Sequence, residues 1–288
     1  AYESVSARPV APMAGWLAEY AQRQGFSVEL FEKEPGKVNV VARKGPPSSV
    51  REHGLVLTGH MDVVPVEGQD WNSDPFVLSE RTEGVLTARG ACDMKGFLAA
   101  ATAACEQFRD QRFQRELVLV WTCDEEVGCQ GAQDLVDKFR TRTDLAPLPA
   151  PTVVGEPTGF RIARVHPGHA TWRIVCKGRP AHASRPTLGL SAVWLLGRVL
   201  AGLERLDAEH RRNPRFEGLL PTPWTVLNPG LVHGGSAVNI VPEHAVVTVG
   251  ARPLPDETAA QVQQRLAAIV YDVNRLAQAE GGSVTLQT

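Results

Sequence analysis

The chain has no long hydrophobic run, no C-x-x-C pair and almost no net charge, and each absence removes a class of function. No stretch approaches the ~18 uninterrupted apolar residues of a membrane-spanning helix, and residues 1–9 have neither the basic start nor the apolar centre of a secretory signal. Lys and Arg number 30 against 32 Asp and Glu, and a net charge of −2 supplies no general field for nucleic acid or an anionic membrane. The five cysteines, Cys92, Cys105, Cys123, Cys129 and Cys176, are odd in number, which argues against a disulfide framework or a structural zinc knuckle and for a reducing cytoplasm. Low-complexity tracts are missing too. With 43% hydrophobic and 22% charged residues over 288 positions, the chain reads as globular and long enough for two domains. The expected partner is a small molecule, not nucleic acid and not a membrane.

Short β-branched runs alternate with amphipathic stretches in the first half, the pattern of an α/β domain with a mostly parallel sheet and flanking helices. Helices are predicted at 13–24, 95–108 and 131–139, and strands at 27–31, 38–42, 55–58, 117–122 and 152–154. Pro46, Pro47, Ser48 and Ser49 make a loop, as does the proline-rich stretch 145–151. From about His169 the order becomes strand (171–176), helix (191–206), strands (224–227 and 245–251), helix (258–278) and strand (283–286). That is the split β-α-β order of a smaller ferredoxin-like α+β domain. The expected division is 1–168 and 169–288.

Polar clusters follow three of the predicted strands: Gly59-His60-Met61-Asp62, Asp124-Glu125-Glu126 and Gly155-Glu156-Pro157. Ligands of open α/β sheets bind beyond the carboxyl ends of strands, so these clusters can converge on one crevice, with Asp93 before the 95–108 helix as a fourth contributor. Each has a plainer reading when taken alone. Asp93 is a good helix N-cap, Glu125 and Glu126 suit a solvated helix start, His60 could be a hydrogen-bonded structural histidine, and Glu156 could belong to a turn. Together they form a hard N/O donor set suited to Zn²⁺, Co²⁺ or Mn²⁺. Two adjacent glutamates let one ligate while its neighbour serves as general base. Asp62, two residues beyond His60, can take the second ring N–H and fix the metal-binding tautomer.

The strings LTGHMDVVPVEGQDWNSDPF, RGACDMKG, CDEEVGCQGA, VVGEPTG, VHPGHATWRI, GRPAHASRP, GGSAVNIVPE and ARPLPDE, in this order, resemble the dinuclear zinc aminoacylase and peptidase family. That family includes acetylornithine deacetylases, succinyl-diaminopimelate desuccinylases, aminoacylases and glutamate carboxypeptidases, and the set is most similar to the first branch, which would place the chain in arginine biosynthesis. The resemblance implies two divalent ions, zinc or cobalt. His60 and Glu156 would hold one, Glu126 the other, and Asp93 would bridge them. Glu125 is implied as general base and Asp62 as the residue that orients His60. It also implies a cis peptide at Asp93-Met94. In the second domain, His182 is implied to reach the neighbouring subunit's active site and stabilise an oxyanion, and Asn239 and Arg252 to hold the carboxylate of an N-acyl amino acid substrate. His166 and His169 match a hinge pattern, whereas His53, His210, His233 and His244 read as structural or solvated.

A homodimer through the helix at 191–206 and an edge strand is a further implication. The family's second metal takes another histidine from a strand that follows the small domain, and this sequence stops at Thr288. The expectation is an incomplete catalytic domain, with activity belonging to a longer chain. The alternatives are desuccinylation, a broader aminoacylase or carboxypeptidase activity, and a non-catalytic metal-binding or dimerisation module.

Overall fold

A computed structural model describes residues 2–46, 54–148 and 151–288, which divide into two units, Ala1–Arg161 and Ile162–Thr288. Pro47, Ser48, Ser49, His53 and part of the 145–151 loop lie outside the described residues. The division falls ahead of His169 because the segment before that residue is tied to the second unit, where the Gly168 N–H donates to the Pro253 carbonyl at 2.7 Å.

The first unit runs α1 (Ala11–Arg23), β1 (Ser27–Glu34), β2 (Lys37–Lys44), β3 (Gly54–His60), β4 (Ser79–Thr82), β5 (Val85–Thr87), α2 (Lys95–Glu106), β6 (Glu116–Thr122), α3 (Gln130–Thr141) and β7 (Thr152–Val154). Its main sheet has the order β1-β2-β6-β3-β7. Alternate side chains of a strand face opposite sides, and this decides the packing. Val38, Val40 and Ala42 of β2 and Leu119 and Trp121 of β6 face one core, shared with Leu17 of α1 and Leu98 of α2. Val41, Val118 and Val120 face the other, shared with Leu135 of α3. Both faces are covered, which is why these strands read as continuous apolar runs.

The α/β class is as expected, but the sheet is mixed and not mostly parallel. β7, β3 and β6 run parallel, whereas β1 pairs β2, and β2 pairs β6, antiparallel. A tight turn at Gly36 (φ 82°) joins β1 to β2 and forces the reversal; a Cβ there would also lie 2.7 Å from Pro9. The β4–β5 hairpin, turned at Gly84, was not predicted from the sequence because its strands are short and largely exposed, without an apolar face.

The second unit runs β8 (Ala170–Lys177), α4 (Ala192–Arg212), β9 (Val226–Gly234), β10 (His244–Arg252), α5 (Ala259–Ala279) and β11 (Ser283–Gln287). Its sheet, ordered β11-β8-β10-β9, is antiparallel throughout and realises the split β-α-β arrangement. Ile174, Val247 and Val249 meet Leu196 and Val199 of α4 and Leu266 and Val270 of α5 in one core. Thr258 and Gln261 form a reciprocal capping box at the start of α5. α4 outlasts its apolar periodicity, and the polar extension is held by the Arg211–Asp207 ion pair and by His210 on the Thr225 carbonyl at 2.8 Å. β9 runs to Gly234, beyond the predicted strand, through Pro229 and Gly230. This is tolerated because β9 is an edge strand with a register shift at that point. No helix among the described residues is long and apolar enough to cross a membrane.

Candidate metal centre

The carboxyl ends of β3, β6 and β7 lie side by side, and the three polar clusters emerge there. His60 closes β3 and is 2% exposed, above the fully buried Met61 and Met94. Close approach of the strand ends to α2 depends on two glycines: a Cβ at Gly59 would lie 2.4 Å from Met94 Cε, and one at Gly155 2.0 Å from the Phe97 ring. His60 Nε2 faces a ring of carboxylates, with Asp93 Oδ1 at 3.0 Å, Glu156 Oε1 at 3.7 Å and Glu125 Oε2 at 3.9 Å. Two triads, His60 with Asp93 and Glu156, and His60 with Glu125 and Glu126, each place one ligand atom per residue within 4.8 Å of the others.

Met94, not Asp93, occupies the N-cap position of α2, with no side-chain cap, and the Asp93–Met94 peptide is cis. Glu125 and Glu126 precede α3, which begins at Gln130 and has no acidic residue in its first turn. Glu156 does sit in a tight turn, its carbonyl accepting from Thr158 N at 2.8 Å, while its carboxylate turns to His60.

Asp62 departs from its expected part. His60 Nδ1 lies 2.8 Å from the Asp62 backbone carbonyl, while the nearer carboxylate oxygen is 3.6 Å away. The carbonyl therefore fixes the ring, with the proton on Nδ1 and Nε2 left as the ligand atom. The fully buried carboxylate is committed elsewhere: Oδ1 accepts from Glu125 N at 3.0 Å, and Oδ2 from Glu126 N at 3.2 Å and from Ser6 Oγ at 2.7 Å.

Crowding of like charge shows in the titration of the cluster. Burial, followed by the Asp93 charge, raises both Glu126 and Glu156 above the ordinary carboxylate range. Burial is also the largest influence on His60 and would lower it. The Asp62 charge, the hydrogen bond to the Asp62 backbone and the charges of Glu125 and Glu156 together outweigh it, so the imidazole is raised. Cys129, whose Sγ donates to Glu125 Oε1 at 3.4 Å, is pushed up to about 11 by burial and by that bond. One imidazole nitrogen and four converging carboxylates suit a hard divalent cation, whose charge would relieve the repulsion they impose on one another.

Several supporting residues carry no motif. Asn39, fully buried on β2, accepts from Cys123 N at 3.0 Å and donates to the Gly131 carbonyl at 2.9 Å, binding the end of β6 to the start of α3. Lys37 pairs with Asp124 at 2.7 Å, and Asp124 adopts φ 51° where the chain turns toward the glutamates. Ser4 and Ser6 tie a separate segment to the loop after β3. These contacts join residues distant in sequence, and only the short polar side chains at buried positions could have signalled them.

His182, Asn239 and Arg252 belong to the second unit. The loops carrying the first two adjoin, through a bridge between His182 and Ile240 and a 2.9 Å bond from Ala183 N to the Asn239 carbonyl. Ser184 N donates to His182 Nδ1 at 3.2 Å, which leaves Nε2 as the protonated nitrogen of the neutral ring. Arg252 ends β10, exposed and in register with Val226. His166 and His169 are exposed in the connection ahead of β8.

Residues 56–281 match the sequence profile of peptidase family M20/M25/M40. An acetylornithine deacetylase of Myxococcus xanthus is 36% identical over 279 residues, covering 96% of this chain and 70% of that protein. Another, of Vibrio atlanticus (strain LGP32), is 33% identical over 240 residues, or 83% of this chain and 60% of that protein. The chain thus spans between 60% and 70% of the length of these two relatives. Among solved structures, an M20 family metallo-carboxypeptidase from Sulfolobus solfataricus shares the fold, with a TM-score of 0.70 at 17% identity, covering 99% of this chain and 75% of that one.

Proposed function

The chain belongs to peptidase family M20/M25/M40, and on that footing we propose that it is part of a metal-dependent hydrolase that cleaves the amide bond of N-acetylornithine in the cytoplasmic synthesis of arginine. The observation that carries the reading is the convergence of His60, Asp93, Glu125, Glu126 and Glu156 at the carboxyl ends of three strands. The deacetylase relatives, at 36% and 33% identity, support the choice of acyl group and amino acid.

In this reading His60 and Glu156 would hold one zinc or cobalt ion and Glu126 would contribute to a second, with Asp93 available to both. Divalent cations held there would supply Lewis-acid polarisation of the scissile carbonyl and a lowered pKa for a water. Glu125 is the residue that takes a proton from the attacking water and returns it to the departing amine. Its carboxylate is 35% exposed, so substrate can reach it, and its backbone is fixed by the buried Asp62. His182, with its proton on Nε2, donates to the developing oxyanion. Asn239 and Arg252 hold the substrate carboxylate, Arg through two parallel hydrogen bonds.

The test is hydrolysis of N-acetylornithine against its N-succinyl counterpart and succinyl-diaminopimelate. The expected preference for acetyl is on the order of tenfold or more in kcat/KM, since methylenes in an acyl pocket discriminate by ~1–3 kcal/mol. A succinyl preference would move the assignment to a desuccinylase. Metal binding without hydrolysis of any acyl amino acid would make the fold a binding module.

The reading includes a homodimer formed by α4 and β9, where Val193, Trp194, Leu231 and Val232 are exposed, with Trp194 at 77%. Sedimentation at assay concentration is expected to give a dimer. A fully active monomer would remove the action of His182 on a neighbouring subunit.

A further inference from the structure

Two of the ligand-bearing loops, those after β3 and β6, share a support that no motif marks. The segment from Tyr2 to Ala7 lies along the loop after β3: Val63 N donates to the Ser4 carbonyl and Ser6 N to the Val63 carbonyl, both at 2.9 Å, and Ser4 Oγ donates to the Met61 carbonyl at 2.6 Å. Ala7 N then donates to Asp124 Oδ1 at 3.1 Å, and the Tyr2 carbonyl accepts from Lys95 Nζ at 2.9 Å. One residue reaches the loops after β3 and β6 through one intermediary. Ser6, 8% exposed, directs its hydroxyl to Asp62 Oδ2 at 2.7 Å, a shorter path than the 3.1 Å to the Val63 carbonyl, as a charged acceptor favours. The same Oδ2 accepts from Glu126 N, Oδ1 accepts from Glu125 N, and the Asp62 carbonyl fixes His60.

We propose that Ser6 is a positioning residue: by holding the Asp62 carboxylate it sets the placement of Glu125 and Glu126 relative to His60. The inference rests on the roles given above to those two glutamates, although the hydrogen-bond chain itself does not. Without the hydroxyl, a fully buried carboxylate loses one of its three donors, and two backbone N–H groups are left to orient it. A rotation of the Asp62 carboxylate then carries both glutamates with it, because they hang on opposite oxygens. Ser4 makes an equally buried hydroxyl bond in the same segment, but to a backbone carbonyl that leads to no glutamate, and it therefore separates positioning from simple anchoring.

The experiment uses the full chain with Ser6→Ala, Ser6→Thr and Ser4→Ala. Three quantities are read: Co²⁺ affinity from the visible absorption of the cobalt-loaded protein, hydrogen exchange of the backbone at 124–128, and kcat and KM for N-acetylornithine. Ser6→Ala is expected to weaken Co²⁺ binding about tenfold, to speed exchange at Glu125 and Glu126, and to lower kcat about tenfold with KM within about twofold. Ser6→Thr restores all three, and Ser4→Ala stays within about twofold of the parent. Equal behaviour of Ser6→Ala and Ser4→Ala, or unchanged Co²⁺ affinity and exchange in Ser6→Ala, overturns the proposal. Should the parent not hydrolyse the substrate, the function is wrong, while Co²⁺ affinity and exchange still decide the role of Ser6.

Discussion

Replacing Glu125 by glutamine is expected to lower kcat for the acyl amino acid by roughly 10²- to 10⁴-fold while leaving metal content and folding unchanged. The change keeps the shape of the side chain and removes only its ability to accept and return a proton. The turn that carries it is untouched, since Glu125 N still donates to Asp62 Oδ1 and the Glu125 carbonyl still accepts from Gly128 N and Cys129 N. Cys129 Sγ keeps an oxygen to donate to. Metal analysis beside the kinetics makes the result decisive, because Glu125 also lies within 4.8 Å of His60 and Glu126 in a second triad. Loss of metal from the glutamine variant would show that Glu125 is a ligand and that the base must be sought elsewhere.

Asp93→Ala is expected to weaken binding of both ions, whereas Glu156→Ala should weaken one. Asp93 lies 3.0 Å from His60 Nε2 and forms one triad with His60 and Glu156, and in the proposed reading it is the ligand that serves both ions. Four-ligand zinc sites are worth about 10–16 kcal/mol, so one shared carboxylate is worth roughly 3 kcal/mol, or about 10²-fold in affinity at each site. Calorimetric zinc titration would show two weakened phases for Asp93→Ala and one for Glu156→Ala. The side chain of Asp93 is 51% exposed, so the metal-free variant should unfold at the same temperature as the parent. Selective loss of a single phase in Asp93→Ala would end its role as a bridge.

The legibility of this chain differed from place to place for physical reasons. Buried strands such as β6 were plain, because packing on both faces demands an unbroken apolar run such as Leu117 to Trp121. α5 follows its predicted span, because its buried residues Val262, Leu266, Val270 and Val273 recur at helical spacing and Thr258 caps its start. The mixed sheet was not plain, since strand direction depends on how β2 meets β6, a contact between segments far apart in sequence. β9 was read short because Pro229 and Gly230 signal a turn unless an edge position accepts them. At the site, His60, Asp93, Glu125, Glu126 and Glu156 each follow a predicted strand or precede a predicted helix, and they converge as that placement implies. The orienting atom at His60 was misread, because a backbone carbonyl has no letter in the sequence. Ser6, Asn39 and Lys37 escaped for a related reason, being ordinary polar residues whose partners are set by the tertiary fold.

The central claim is that these five side chains form a metal centre, and zinc titration into the metal-stripped chain tests it most directly, with His60→Ala run in parallel. His60 supplies the nitrogen common to both triads. The account predicts saturable zinc binding, with at least one tight ion per chain, that is lost in His60→Ala. Absence of tight binding in the parent chain, or binding that survives unchanged in His60→Ala, would contradict it.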